Sequence, residues 1–178
     1  MITFKKYITE RTQKYSSKGT SVKQIPSTFN RIPFEPNTVN LDIGGGRFDL
    51  GTDLLQGKGV TNLIFDPYNR SPQHNTAVLK QLPKNGADTV SVNNVLNVIM
   101  EPIGRQKVIK MAKKYLAPMG TAYFLIYQGD GTGEGRITKK AGENSSWQNH
   151  LKAIEYLPEI QKVFSNVSRK GNLIIAQK

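Results

Sequence analysis

The chain contains no cysteine, which excludes disulfides and thiolate-ligated metals and fits a reducing compartment. Only two histidines are present, His74 and His150, too few for a histidine-rich metal centre, and no metal is expected. Acidic residues are scarce: 13 Asp and Glu stand against 25 Lys and Arg, leaving a formal net charge of +12. No apolar run approaches the roughly 20 residues of a membrane-spanning helix, so no membrane association is expected. The opening Met1-Ile2-Thr3-Phe4-Lys5-Lys6 carries charge with no apolar stretch behind it. A secretory leader is therefore not expected, and a cytoplasmic location is. The 178 residues suit one domain with a sizeable core.

The positive excess is spread along the chain, with concentrations at residues 5–23, 105–114, 136–140 and 169–170. A basic surface favours a polyanionic partner, nucleic acid or nucleotide, because each phosphate contact releases condensed counterions. The same surface also serves solubility alone, and charge names no substrate.

Residues 4–14 read as a short helix with Phe4, Tyr7, Ile8 and Tyr15 near one face. Residues 16–36 hold Pro26, Pro33 and Pro36 and read as an arm with brief turns. The apolar Ile25, Phe29, Ile32 and Phe34 within it indicate that the arm, residues 1–37, packs on a body spanning 38–178. In the body the elements alternate: strand 39–43, helix 48–55, strand 60–65, helix 71–82, strand 88–92, helix 103–116, strand 121–127 and helix 147–156. Ser71 is placed to cap its helix, with Pro72 in the first turn. Residues 163–168 and 172–176 flank Arg169-Lys170-Gly171 and read as a terminal hairpin. Strand–helix alternation ending in a hairpin predicts an α/β fold: a doubly wound, mostly parallel sheet with an antiparallel C-terminal hairpin.

Two strand tips carry the chemistry. The first strand ends in Asp42 and runs into Gly44, Gly45 and Gly46. Glycines there let the backbone turn sharply and approach a ligand closely, and the helix that follows directs N–H groups at that ligand. Asp42 is suited to accept from an ammonium or to order the loop. The third glycine of the dinucleotide fingerprint is replaced by Asp49, which would repel a pyrophosphate and is less troublesome for a ligand presenting a carboxylate and an amine. The second strand ends in Asp66-Pro67-Tyr68, and a carboxylate at that position is placed to accept both hydroxyls of a ribose.

Asp42–Gly46, then Asp66-Pro67-Tyr68, then the run from Ala87 to Ile99 with Asn93-Asn94-Val95-Leu96 resemble the class I S-adenosylmethionine-dependent methyltransferases. The resemblance covers roughly residues 38–178. Its Val-Leu-Asn-Val-Ile run is similar to small methyltransferase-like proteins of bacteria and their phages. It implies a Rossmann-like fold and S-adenosylmethionine as cofactor. It also implies a cofactor site built from Asp42, Gly44, Gly45, Gly46, Asp66, Pro67, Asn93 and Asn94. Residues 69–88 hold one helix and a turn, which leaves the family's third strand reduced or absent and adenine recognition unassigned.

The glycine-rich segment 128–136 follows the strongest strand and suits a lid or substrate loop, with Asp130 and Glu134 placed to orient an amine and Arg136, Lys139 and Lys140 to meet phosphate. Trp147 is expected in the core and His150 on a helix face. Arms such as residues 14–36 often close over the cofactor in this fold class; Lys18, Thr20, Lys23 and Arg31 are the contacts to watch. No catalytic residue stands out. Methyl transfer to a nucleic acid or nucleotide is the leading expectation. The alternative is a non-catalytic binder of S-adenosylmethionine or nucleic acid. A nicotinamide dehydrogenase is disfavoured by the incomplete glycine pattern and the want of a paired His–Asp.

Overall fold

The computed structural model describes residues 20–138 and 146–178. The expected helix at residues 4–14, together with Lys18, Lys139 and Lys140, lies outside the described residues. Six strands form the main sheet: β1 (Val39–Ile43), β2 (Thr61–Phe65), β3 (Ala87–Asn93), β4 (Leu116–Leu125), β7 (Asn166–Lys170) and β8 (Leu173–Gln177). Their order is β2-β1-β3-β4-β8-β7. β1 pairs in parallel with β2 and β3, and β3 with β4, whereas β8 runs antiparallel to both β4 and β7. This is the doubly wound, mostly parallel sheet with an antiparallel C-terminal hairpin. β2 is an edge, because the chain passes from it through α3 (Pro72–Gln81) directly to β3. Among the described residues no strand lies between β2 and β3, where the resemblance leaves a third strand reduced or absent.

The core sits mainly on one sheet face. Leu41, Ile43, Leu63, Phe65, Val90, Val92 and Phe124 point there, against Val78 of α3 and Val108, Ile109 and Ala112 of α4 (Pro102–Tyr115). The period-2 alternation of a strand places Asn40, Asp42, Asn62 and Ser91 on the opposite face. All four are buried. That face is covered by the short helix α2 (Leu50–Gln56) and by chain preceding β1. Phe29 of α1 (Thr28–Arg31) packs with Leu55 and Val60, while Ile32 and Phe34 pack on Tyr123, Leu125 and Leu173. Gly51 lets the Phe29 ring lie on α2, since a Cβ there would come within 2.5 Å of it.

Ser71 caps α3 by accepting from the His74 N–H (3.1 Å), with Pro72 in the first turn as its sequence indicates. Other expectations shift. The helix expected at 48–55 begins only at Leu50. β4 starts at Leu116, straight out of α4, and carries Pro118 and Gly120 inside it. A register shift between Ala87 and Thr89 absorbs the irregularity, and Met119 takes a φ of 65°.

Residues 147–156 are not a helix. Ser146–Asn149 is a strand (β6) paired antiparallel with Gly135–Thr138 (β5), followed by a 3-10 turn at Ala153–Tyr156 and α5 (Leu157–Gln161). The β-branched Ile137 and Thr138 supply a partner that local periodicity does not reveal. Trp147 is half-buried and lies over Gly135, where a Cβ would come within 1.8 Å of the indole. No helix among the described residues is long and apolar enough to cross a membrane.

Candidate functional site

The carboxyl ends of β1, β2 and β3 border one cleft, with an empty volume of about 1130 Å³ including its solvent-open mouth. Asp42, Gly44, Gly45, Gly46, Asp66, Pro67, Asn93 and Asn94 all line it. Thr20, Ser21 and Gln24 of the preceding segment close one side, and Val98 and Ile99 another. Lys23 and Arg31 are exposed. Arg31 donates instead to Asn172 Oδ1 (2.8 Å) and the Lys170 carbonyl (3.1 Å), tying α1 to the β7–β8 hairpin.

The bend after β1 is dictated by its glycines. Gly44 and Gly46 have φ of 76° and 78°, a region that penalises side chains. At Gly45 the constraint is closeness: a Cβ would lie 2.3 Å from Asp42 Oδ2. The loop is then pinned from β2. The Gly46 N–H donates to Asp66 Oδ2 (2.9 Å), while its carbonyl accepts from Arg70 Nε (2.8 Å). Arg70 also pairs with Asp49 at 2.7 Å, so the acid that breaks the dinucleotide fingerprint serves as an anchor. The Arg47 N–H donates to Ser21 Oγ (3.1 Å). Gly46 and Arg47 thus spend their amides within the protein, contrary to the expectation that this bend and the following helix direct them at a ligand.

Asp66 is buried and accepts four hydrogen bonds: from the N–H groups of Gly46, Tyr68 and Asn69, and from Asn69 Nδ2 at 3.1 Å. Asn75 brackets its backbone, accepting from the Asp66 N–H and donating to the Asp66 carbonyl, both at 2.9 Å. His74 Nε2 donates to the Ile64 carbonyl (2.9 Å). Arg70, His74 and Asn75 are therefore part of the site's frame and were not read from sequence. The signal is the compact run Asp66–Asn75, which places a turn and a capped helix against one strand tip.

A buried polar ladder crosses the sheet beneath the cleft. Asn62 Nδ2 donates to Thr52 Oγ1, Asn40 Nδ2 to Asn62 Oδ1 and Ser91 Oγ, and Ser91 Oγ to Asp42 Oδ1 (2.7 Å). Asn93 Nδ2 donates to the same Asp42 oxygen at 3.0 Å. Asp42 Oδ2 receives no hydrogen bond from the described residues, and Asn93 Oδ1 is a buried acceptor without a partner among them. Burial pushes the Asp42 carboxyl up to about 6, against the opposing hydrogen bonds of Ser91 and Asn93. Asn94 holds a φ of 55° and donates its N–H to the Leu125 carbonyl (2.9 Å), joining the β3 tip to the β4 tip. Tyr68, also in the lining, has its hydroxyl pushed up to about 12 by burial and the nearby Asp66 and Glu101 carboxylates.

Past β4, Asp130 meets His150: His150 Nδ1 lies 2.9 Å from Asp130 Oδ1, and Arg136 pairs with Asp130 Oδ2 at 2.7 Å. Hydrogen bonds from the Thr132 hydroxyl and N–H, aided by His150 and Arg136, hold the Asp130 carboxyl well below the usual carboxylate range. His150 is thus not on a helix face, and a paired His–Asp is present after all.

The topology is that of the class I S-adenosylmethionine-dependent methyltransferase fold. No family model matches the chain, and no curated protein is significantly similar in sequence. The fold aligns with an S-adenosylmethionine-dependent methyltransferase of Methanosarcina mazei at TM-score 0.57 and 16% identity, over 88% of this chain and 99% of that one. It also aligns with 1,6-didemethyltoxoflavin-N1-methyltransferase of Burkholderia thailandensis, solved with its substrate and S-adenosylhomocysteine, at 0.55 and 17%, over 81% and 72%. The methyltransferase of Haloferax volcanii solved with the Trm112 activator gives 0.53 and 15%, over 80% and 68%.

Proposed function

We propose that this chain binds S-adenosylmethionine in the cleft and transfers its methyl group to a nucleic acid or nucleotide. The observation that carries the reading is a pair of acceptors without a hydrogen bond from the described residues, Asp42 Oδ2 and Asn93 Oδ1, on residues lining a cleft built on Gly44–Gly46. They suit a cationic ligand that brings its own donors. A pyrophosphate fits poorly, because the Gly46 and Arg47 amides are already spent and three carboxylates stand nearby. Asp42 and Asn93 would hold the ammonium, Gly44–Gly46 would allow close backbone approach, and Asp66 would hold the ribose. Of the four donors to Asp66 only the Asn69 side chain can rotate away, so it is the one a ribose hydroxyl would replace. Thr20 and Ser21 would cover the bound ligand. When bound, the sulfonium supplies an activated methyl group, and the protein's part is alignment. The acceptor reading rests on the net charge of +12.

Calorimetry provides the test. S-adenosylmethionine and S-adenosylhomocysteine should release heat on titration and NAD should not, and Asp66→Ala should remove the signal while far-UV circular dichroism is kept. Heat from NAD alone would overturn the cofactor reading. Affinity for DNA or RNA should fall steeply between 50 and 200 mM salt, by about 10-fold or more with several phosphate contacts. A flat response would remove nucleic acid as acceptor.

A further inference from the structure

His150 and Asp130 form an oriented acid–base pair that the site described above leaves without a role. A carboxylate only accepts, so with the proton on Nδ1 the 2.9 Å approach of His150 Nδ1 to Asp130 Oδ1 is a charge-assisted hydrogen bond that leaves the lone pair on Nε2. The Asp130 N–H donates to Nδ1 at 3.2 Å in the other tautomer, and the shorter, charge-assisted contact favours the Nδ1–H form. Arg136 secures the other carboxylate oxygen, and Thr132 donates twice to Oδ1. No hydrogen bond ties Nε2 to the described residues, and the side chain keeps 14% of its surface exposed. A base whose ring is held through one nitrogen by a third group is the arrangement general-base catalysis needs.

The pair also stands at the right edge of the sheet. Asp130 follows β4, whose tip residue Leu125 is paired with Asn93 and bonded to Asn94 of the cleft. His150 is adjacent to Asn149, whose Nδ2 donates to the carbonyl of Ile99, a cleft-lining residue (3.0 Å). Asn97 Nδ2 donates to Gln148 Oε1, and the Gly133 N–H to the His150 carbonyl, which fixes β6 and the glycine-rich segment beside the cleft. A backbone accommodation is visible too: a Cβ at Gly129 would lie 2.3 Å from His150 Nδ1. The charged groups facing the imidazole are Asp130 and, through it, Arg136; Lys152 lies nearby against Gly131.

We infer that His150 is the general base for the methyl acceptor, positioned by Asp130, and that the acceptor atom carries a proton to be removed, an O–H or an N–H. This rests on the methyl-transfer reading above. The acceptor's lone pair forms the new bond to the methyl carbon as the carbon–sulfur bond breaks, with that bonding pair remaining on sulfur. The acceptor's proton goes to His150 Nε2 and from there to water.

Two readouts need no turnover. Nitrogen-detected NMR of the two histidines should show His150 as the Nδ1–H tautomer, and Asp130→Asn should abolish that preference. Diethyl pyrocarbonate should modify His150 ahead of His74, whose Nε2 is engaged with Ile64. For turnover, tritiated S-adenosylmethionine is incubated with mixed DNA, RNA and a small-molecule lysate fraction. His150→Gln should keep the calorimetric affinity for S-adenosylmethionine and lose about 100-fold or more in kcat. Asp130→Asn should lose kcat without losing that affinity. Label transferred by His150→Gln at the wild-type rate overturns the base alone, leaving methyl transfer intact. Binding by the wild type with no label in any acceptor overturns methyl transfer and the base together.

Discussion

Asp42→Asn is expected to stabilise the ligand-free protein by about 2–3 kcal/mol at pH 8 while weakening its hold on a cationic ligand. The carboxyl is buried and rises from 3.8 to about 6, with desolvation the largest cause. The folded state therefore binds its proton more tightly than the unfolded chain does. Stability carried by this group is present in full below about pH 4 and is lost as pH rises to about 6. A rise of that size corresponds to about 3 kcal/mol of cost once the group is ionised. Asparagine is isosteric, keeps an oxygen for Ser91 and Asn93, and carries no charge to desolvate. Denaturant melts should thus separate the variant from wild type at pH 8 and bring them together near pH 4. Calorimetry at pH 8 should show S-adenosylmethionine affinity reduced about 10-fold or more, because a charge-assisted contact is replaced by a neutral one. Wild-type affinity should itself rise with pH through 6. A variant less stable than wild type at pH 8 would mean that Asp42 is not paying a burial penalty.

The sequence shows Asp42 and the glycine bend plainly because both are local: a short strand, an acid and residues able to adopt positive φ follow one another without help from the rest of the chain. The same holds for Ser71-Pro72 and the start of α3. What escapes a sequence reading is set by partners far along the chain. β6 looks helical from its own residues, and its strand character comes from Gly135–Thr138 across the intervening connection. His150 inherits that misreading, so its pairing with Asp130 is invisible until the ribbon is placed. Asn40, Asn62 and Ser91 look like polar interruptions in three separate strands. Register alone turns them into a continuous buried ladder ending at Asp42. Arg70 follows the Asp-Pro turn as one more surface cation, and its contacts with Gly46 and Asp49 are evident only in three dimensions.

Arg105→Met is expected to cost about 3 kcal/mol or more, the largest loss of any single substitution considered. Arg105 lies within a cationic stretch of the sequence yet is buried, with 6% of its surface exposed. Its Nε and one terminal nitrogen form a bidentate pair with Glu159 at 2.9 and 2.6 Å, and the other terminal nitrogen donates to the carbonyls of Ile99 and Met100. The guanidinium also stands 5.7 Å from the centre of the Tyr156 ring. Methionine fills comparable volume but strands a carboxylate that is itself largely buried, takes the Arg105 donor from the Met100 carbonyl and leaves the Ile99 carbonyl with Asn149 alone. At about 2–4 °C per kcal/mol for a chain of this size, the midpoint of thermal unfolding should drop by roughly 10 °C. The double variant Arg105→Met, Glu159→Leu should recover a substantial part of that loss, because no unpaired charge remains. Failure of the double variant to recover would shift the cost from the stranded carboxylate to the Ile99 and Met100 carbonyls. Those carbonyls matter to the cleft directly, since Ile99 lines it and is held on its other side by Asn149. The single variant should therefore lose ligand affinity along with stability, while the double variant should regain more stability than affinity.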